Sequence, residues 1–189
     1  MTAPQTMAPR RSTWVKIVLV VLCLAVAAMW IYAFFFATDK GAYQLDDKNW
    51  RLRAAPVCQA AQAERNQLAD TSSGFIQHPT KEQMVQRADV VDKATDIIAK
   101  MESDIVAIPV ATDRDRQLLA VFDQQYKLVI ADRRRYTASL RAGKYVQYSE
   151  TLSAGGPVSN VVLDFTAGVK GNDVPDCSPP GELGGEISP

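Results

Sequence analysis

Apolar residues follow two different patterns along this chain. Residues 17–37, IVLVVLCLAVAAMWIYAFFFA, are 21 positions without a charge. About 20 helical residues cross a hydrocarbon core, and in lipid the backbone must satisfy its own hydrogen bonds. The pattern therefore predicts one transmembrane helix. Trp14 stands at one end, and Trp30, Tyr32 and Phe34 to Phe36 at the other, where rings favour the headgroup level. The run exceeds the core of a typical cleaved signal peptide, and no A-x-A-like site follows it. It reads as an uncleaved signal anchor. Cys23 lies mid-run, behind Leu22 rather than a small residue, and reads as an apolar side chain rather than a lipidation site. The Arg10-Arg11 pair raises a twin-arginine export signal, but its spacing to Trp14 is off by a residue.

Beyond residue 45 the apolar positions become periodic. Trp50, Ala54, Val57, Ala61 and Leu68 share one face of a helix that Asp46 or Asp47 can cap. Pro56 removes a backbone donor and should kink that helix or restart it near Cys58. The segment DTSSG, residues 70–74, ends it. Thr80 and Gln83 form a capping box for a second helix. Its face is Met84, Ala88, Val91, Ile98, Met101 and Ile105, and it ends before Pro109. Thr112 opens a third, with Asp113 and Asp115 favouring its dipole. Leu119, Phe122, Tyr126, Val129, Tyr136 and Leu140 make its stripe, and Gly143 closes it. Residues 144–156 read as a loop carrying Tyr145, Tyr148 and Gly155-Gly156. A short fourth helix should run from about Pro157 to about Val169, with Val158, Val161, Val162 and Phe165 on its face. No segment alternates long enough for a strand.

The fold class is thus mainly α: an N-terminal transmembrane helix, then a three- to four-helix antiparallel bundle. The expected organisation is a cytoplasmic tail (1–16), the anchor (17–37), a linker (38–45), an extracytoplasmic bundle (46–177) and a disordered tail (178–189). Arg10, Arg11 and Lys16 lie close to the apolar run, which places the N-terminus in the cytoplasm and the domain outside.

Charge narrows the function classes. Beyond residue 37 there are 18 basic and 21 acidic residues. A mildly acidic domain is a poor nucleic-acid binder. With Cys23 in the membrane, Cys58 and Cys177 remain, and an exported domain meets oxidising conditions. They are expected to form a disulfide that pins the last ordered segment to the first domain helix. Two free thiols are the alternative, and neither cysteine has a second ligand at metal spacing.

The segments YAFFFATDK, NWRLRAAPVCQAA, DRRRYTASLRAG and VPDCSPP are similar to a family of small single-pass membrane proteins of actinobacterial type, itself without an assigned activity. The resemblance covers most of residues 14–180. It implies the anchor, the helical domain and the pairing of Cys58 with Cys177, with Trp50 on the first domain helix. Pro56 departs from the family's smoother helix.

Chemistry is sparse. The sequence has no Gly-rich phosphate loop and no H-E-x-x-H, C-x-x-C or G-x-S-x-G motif, and its one histidine, His78, precedes Pro79 in a loop. No catalytic residue, cofactor or metal is assigned. Asp89 and Asp96 stand four before Lys93 and Lys100, and Asp123 four before Lys127, the favourable order for surface ion pairs. Arg133 falls on the apolar stripe. Its stem can pack while its head reaches water, or it can pair with Glu64 or an acid of the second helix. It can also face a small anion, with Tyr126 and Tyr136 nearby. Three functions compete: an accessory subunit docking on an envelope protein, in which Tyr145, Tyr148 and the tail are contact points; a ligand-binding or sensing domain with a pocket at Arg133; and an enzyme, which would need carboxylates from different helices to converge and would depend on Asp89, Asp92 and Asp96. The bilayer is the partner of residues 17–37.

Overall fold

The structure is a computed structural model and describes residues 11–35, 41–68 and 78–181. It is mainly α-helical and divides into two compact units, residues 1–40 and 41–189. The first is helix α1, Arg11–Phe35, whose stretch Trp14–Phe35 is long and apolar enough to span a membrane.

The second unit holds α2 (Trp50–Arg65), α3 (Lys81–Val106), α4 (Asp113–Arg141) and α5 (Val158–Thr166). A two-stranded hairpin, β1 (Leu152–Ser153) and β2 (Gly156–Pro157), precedes α5, and one 3-10 turn, Pro175–Cys177, follows it. Helix α3 packs along α4, α2 lies on α3, and α5 lies on α4. Cross-pairs fix the direction of α3 and α4: Glu102 meets Asp123, and Asp92 meets Arg141. Sequence number rises on one helix as it falls on the other, so the two are antiparallel.

The helix boundaries follow local chemistry. Thr80 Oγ1 accepts from the Gln83 backbone at 3.3 Å, and Gln83 Oε1 accepts from the Thr80 backbone at 2.8 Å, completing the box. Thr112 Oγ1 accepts from the Asp115 backbone at 3.0 Å. At the other end of α4, Gly143 takes φ 73°. The Gly143 and Lys144 N–H groups reach back to the carbonyls of Leu140 and Ser139, a Schellman close. Every residue expected on the α3, α4 and α5 faces is buried.

Several expectations are corrected. Helix α2 begins at Trp50, not at Asp46 or Asp47, and Asn49 is its cap position without a side-chain bond. Asp47 instead accepts from the Asn49 backbone and pairs with Arg53. Pro56 does not restart the helix. It sits on an exposed face, where water can satisfy the carbonyl it leaves unbonded. Two short strands occur where only a loop was expected. Segment 70–74, linker residues 38–40 and tail residues 182–189 lie outside the described residues. Ser178, assigned by sequence to the tail, bonds the Thr166 hydroxyl at 2.7 Å.

Residues 41–45 behave as a strap rather than a loose linker. Leu45 is buried, and its N–H donates to Asn172 Oδ1 at 2.9 Å. Asn172 Nδ2 donates to the carbonyls of Tyr43 and Phe165, both at 3.0 Å. The fully buried Asp115 accepts from the backbones of Asp46 and Asp47 at 2.7 and 3.1 Å.

Cys58 and Cys177 are joined by a disulfide, with Cα atoms 5.0 Å apart and a sequence separation of 119. It ties α2 to the closing 3-10 turn. Both half-cystines lie in the main apolar cluster, which also holds Trp50, Ile98, Ile105, Leu119, Phe122, Tyr126, Val162 and Phe165. Phe165 meets Phe122 at 4.4 Å and the edge of Trp50 at 5.9 Å between ring centroids, and so joins α2, α4 and α5. Phe165→Ala should lower the unfolding free energy by about 3–5 kcal/mol in urea titration. A loss below about 1 kcal/mol would mean that this contact does not organise the core.

Candidate functional site

A second apolar cluster holds Met84, Ala88, Val91, Tyr136, Leu140 and Tyr148. Along α3 the clusters are separated at Thr95, and along α4 at Asp132 and Arg133, with Thr137 beside them. These four side chains, 0 to 2% exposed, form a polar layer. Arg133 donates Nε to Thr95 Oγ1 at 2.9 Å, and that hydroxyl donates to the Val91 carbonyl at 2.6 Å. The expectation that Arg133 reaches water is therefore overturned: only 1% of it is exposed. Glu64, expected as a partner, lies exposed on α2.

The three residues proposed to face a ligand divide between two environments. Tyr126 belongs to the main cluster, edge-on to Phe122 at 5.4 Å. Tyr136 belongs to the second, where its hydroxyl accepts from Arg87 Nε at 2.9 Å. Arg133 stands between them. Two open clefts lie elsewhere. One, of about 230 Å³, is lined by Asp47, Lys48, Arg51 and Asn172, among others. The other, of about 520 Å³, is lined by Val106, Ile108, Leu119 and Asp123, among others. Among the described residues no group of three or more His, Cys, Asp or Glu side chains could hold a metal ion.

The polar layer does hold a surface feature in place. Asp132, 1% exposed, accepts from the Thr151 backbone at 2.6 Å and the Thr151 hydroxyl at 2.9 Å, and pairs with Arg135. Ser153 donates to Gln125 at 2.7 Å. The Ser159 N–H, in the first turn of α5, donates to Glu150 at 3.0 Å, a carboxylate at the positive end of a helix. Tyr148 turns inward, edge-on to Tyr136 at 5.8 Å. It is therefore core rather than the exposed contact expected of it, and burial, then Glu150, raises its hydroxyl pKa. What remains outside is the hairpin tip. Ala154 and Gly155 both have positive φ, 51° and 85°, as a type I′ turn requires. Leu152 stands 78% exposed beside it, with Tyr145 and Val146 near 40%.

Surface charges pair both across α3 and α4 and along single helices. Asp89 pairs with Arg141, and Asp96 with Arg134, in place of the expected Lys93 and Lys100. Lys100 turns to Asp104. Asp92 accepts from Thr137, Arg134 and Arg141. Burial raises its pKa, but those donors outweigh it and hold the carboxyl below its usual range. The Asp123–Lys127 pair forms as expected, at 2.7 Å.

Glu102 is the unforeseen group. It is buried on α3, with Asp123 and Lys127 of α4 as its charged neighbours. Burial first, then the hydrogen bond to Asp123, push it from 4.5 to about 8. A glutamic acid at that position donates to the Asp123 carboxylate, whose own pKa is lowered by Glu102 and Lys127 despite burial.

Comparison with protein-family models, with curated proteins and with solved structures gives no match.

Glu102 keeps its proton in the folded protein after the unfolded chain has lost it. Its contribution to stability is full below 4.5 and falls as pH rises toward 8. The slope is at most about 1.4 kcal/mol per pH unit. Urea midpoints measured at pH 5 and pH 8.5 should fall for wild type and stay nearly level for Glu102→Gln. Equal falls in both would contradict the assignment.

Proposed function

We propose that this chain is a membrane-anchored, extracytoplasmic accessory subunit that docks on another envelope protein through its hairpin, residues 151–157. The observation that carries the reading is the hairpin itself. Buried Asp132 fixes its base at Thr151, and Leu152, the first residue of β1, stands in water. An exposed leucine alone says little. One on a pre-ordered hairpin has its ordering cost met before any partner arrives, and burying it on that partner is worth about 1.5–3 kcal/mol. Tyr145 and Val146, in the segment that leads to the hairpin, are also exposed.

Two features support the location. The apolar stretch of α1 is preceded by Arg10 and Arg11 and holds Lys16 near its start, the side that stays in the cytoplasm. The Cys58–Cys177 disulfide suits a domain in an oxidising compartment outside the cell membrane.

The test is co-purification from native membranes in mild detergent, wild type beside Leu152→Asp. One stoichiometric companion, identified by mass spectrometry, should accompany the wild type and be lost from the variant at unchanged melting temperature. Equal recovery with both proteins, or no companion with either, would reject the docking role.

A further inference from the structure

The turn between α3 and α4 carries the cleft of about 520 Å³. Small-molecule sites run to about 300–1,000 Å³. Its walls are apolar. Val106 ends α3, Ile108 and Val110 belong to the turn, and Leu119 lies on α4. Two charged side chains complete the lining, Arg116 and Asp123. Arg116 is committed to the turn. It pairs with Asp113 and donates to the carbonyls of Val110 and Ala111 at 3.3 and 3.1 Å.

Asp123 leads from the cleft to the buried acid of α3. It bonds Glu102 on one side and Lys127 on the other. Val106, one turn beyond Glu102 on α3, brings the apolar wall to the same place. Glu102 is 3% exposed, and its Oε1 has no hydrogen-bond partner among the described residues. A buried acceptor left without a donor is costly, so this atom calls for one.

Charge selects the donor. Two carboxyls, Glu102 and Asp123, share the single ammonium of Lys127. The neighbouring cations have acids of their own. Arg116 has Asp113, and Lys100 has Asp104. Arg53 of α2 donates to the Pro109 carbonyl of the turn and pairs with Asp47. Glu64 of α2, the other charged neighbour of Lys100, is a further acid. The group is short of one positive charge, and Glu102 holds a proton in its place.

We propose that this cleft binds a small apolar monocation, a primary alkylammonium, with its chain on Val106, Ile108, Val110 and Leu119 and its head between Asp123 and Glu102. An ammonium has three donors, enough for the Asp123 carboxylate and Glu102 Oε1 together. Binding exchanges one cation for another: the ammonium enters, the Glu102 proton leaves to water, and the charge of the site is conserved. The walls select against inorganic cations, and the two carboxyls against fatty acids. The cleft shares no residue with the hairpin proposed to dock and does not depend on that reading.

The test uses the full chain in phosphatidylcholine nanodiscs at pH 7, with empty nanodiscs as the blank. Titration calorimetry with n-hexylammonium is compared with hexanol and hexanoate, which keep the chain and change the head. Hexylammonium should saturate at one per chain, with the other two at least about tenfold weaker. Heats in phosphate and in HEPES should differ by the release of nearly one proton per ligand. Glu102→Gln keeps a donor for Asp123 but does not ionise. It should weaken binding at least about tenfold and release no proton. Ala120→Phe, at an exposed lining position of α4, should block the cleft at an unchanged melting temperature. Absence of saturable binding to the wild type would overturn the site. Hexanol binding as tightly as hexylammonium would overturn the ionic head. Undiminished binding to either variant would overturn the placement.

Discussion

The bond between Cys58 and Cys177 joins the two ends of the folded domain, and the other contacts at that end are arranged around it. Helix α2 is short and lies on one side of the molecule, against α3 and the closing turn. Only Trp50, Ala54 and Cys58 of α2 are fully buried. The bond fixes this helix to a segment that would otherwise leave the core after Val174. In the chain-entropy model, closing a loop of this length is worth about 4–5 kcal/mol. That is a sizeable part of a typical domain's stability of about 5–15 kcal/mol. Held between these ends, Asn172 can bond at once to the strap at Tyr43 and Leu45 and to α5 at Phe165. Entry and exit of the chain are thus built as one structure.

Away from the disulfide a different constraint acts. The long pair α3 and α4 encloses two apolar clusters with a polar layer between them. Apolar packing alone would tolerate a shifted register of two helices. Arg133 on Thr95, together with Asp92 accepting from Thr137 and Arg134, is satisfied in one register only. The neighbouring Asp132 turns the other way and holds the hairpin. One interior layer therefore sets helix register and presents Leu152. That layer links the fold to the docking role proposed for the hairpin.

The sequence was most legible where the deciding interaction is local. The Thr80 box, the Thr112 cap, the Gly143 close and the stripes of α3, α4 and α5 depend on residues three to seven apart, and all are present. The cysteine pairing was legible because one cysteine fell in the stretch long and apolar enough to span a membrane and two were left. What escaped depends on distant partners. Asp115 was legible only as an acid favouring the dipole of α4, and Asp132 was not singled out, because nothing local reveals that a carboxylate will bind the backbone 68 or 19 residues away. Asp89 and Asp96 had good local lysines, yet arginines across the helix pair took them. The i to i+4 rule cannot see that competition, and exposed pairs of either kind differ by only a few tenths of a kcal/mol. The hairpin was missed because Ala-Gly is a weak turn signal beside Asn-Gly. The candidate site shares this weakness: Tyr145 was legible as exposed, Tyr148 was misassigned, and Leu152 was not singled out.

The account depends first on the closure of the domain. The most direct measurement is peptide mapping of the protein taken from native membranes, with free thiols blocked before digestion and no reductant added. The peptides carrying Cys58 and Cys177 should appear joined, with Cys23 alone blocked. Recovery of Cys58 and Cys177 as separate, blocked peptides would contradict the closure and, with it, the exported location proposed here.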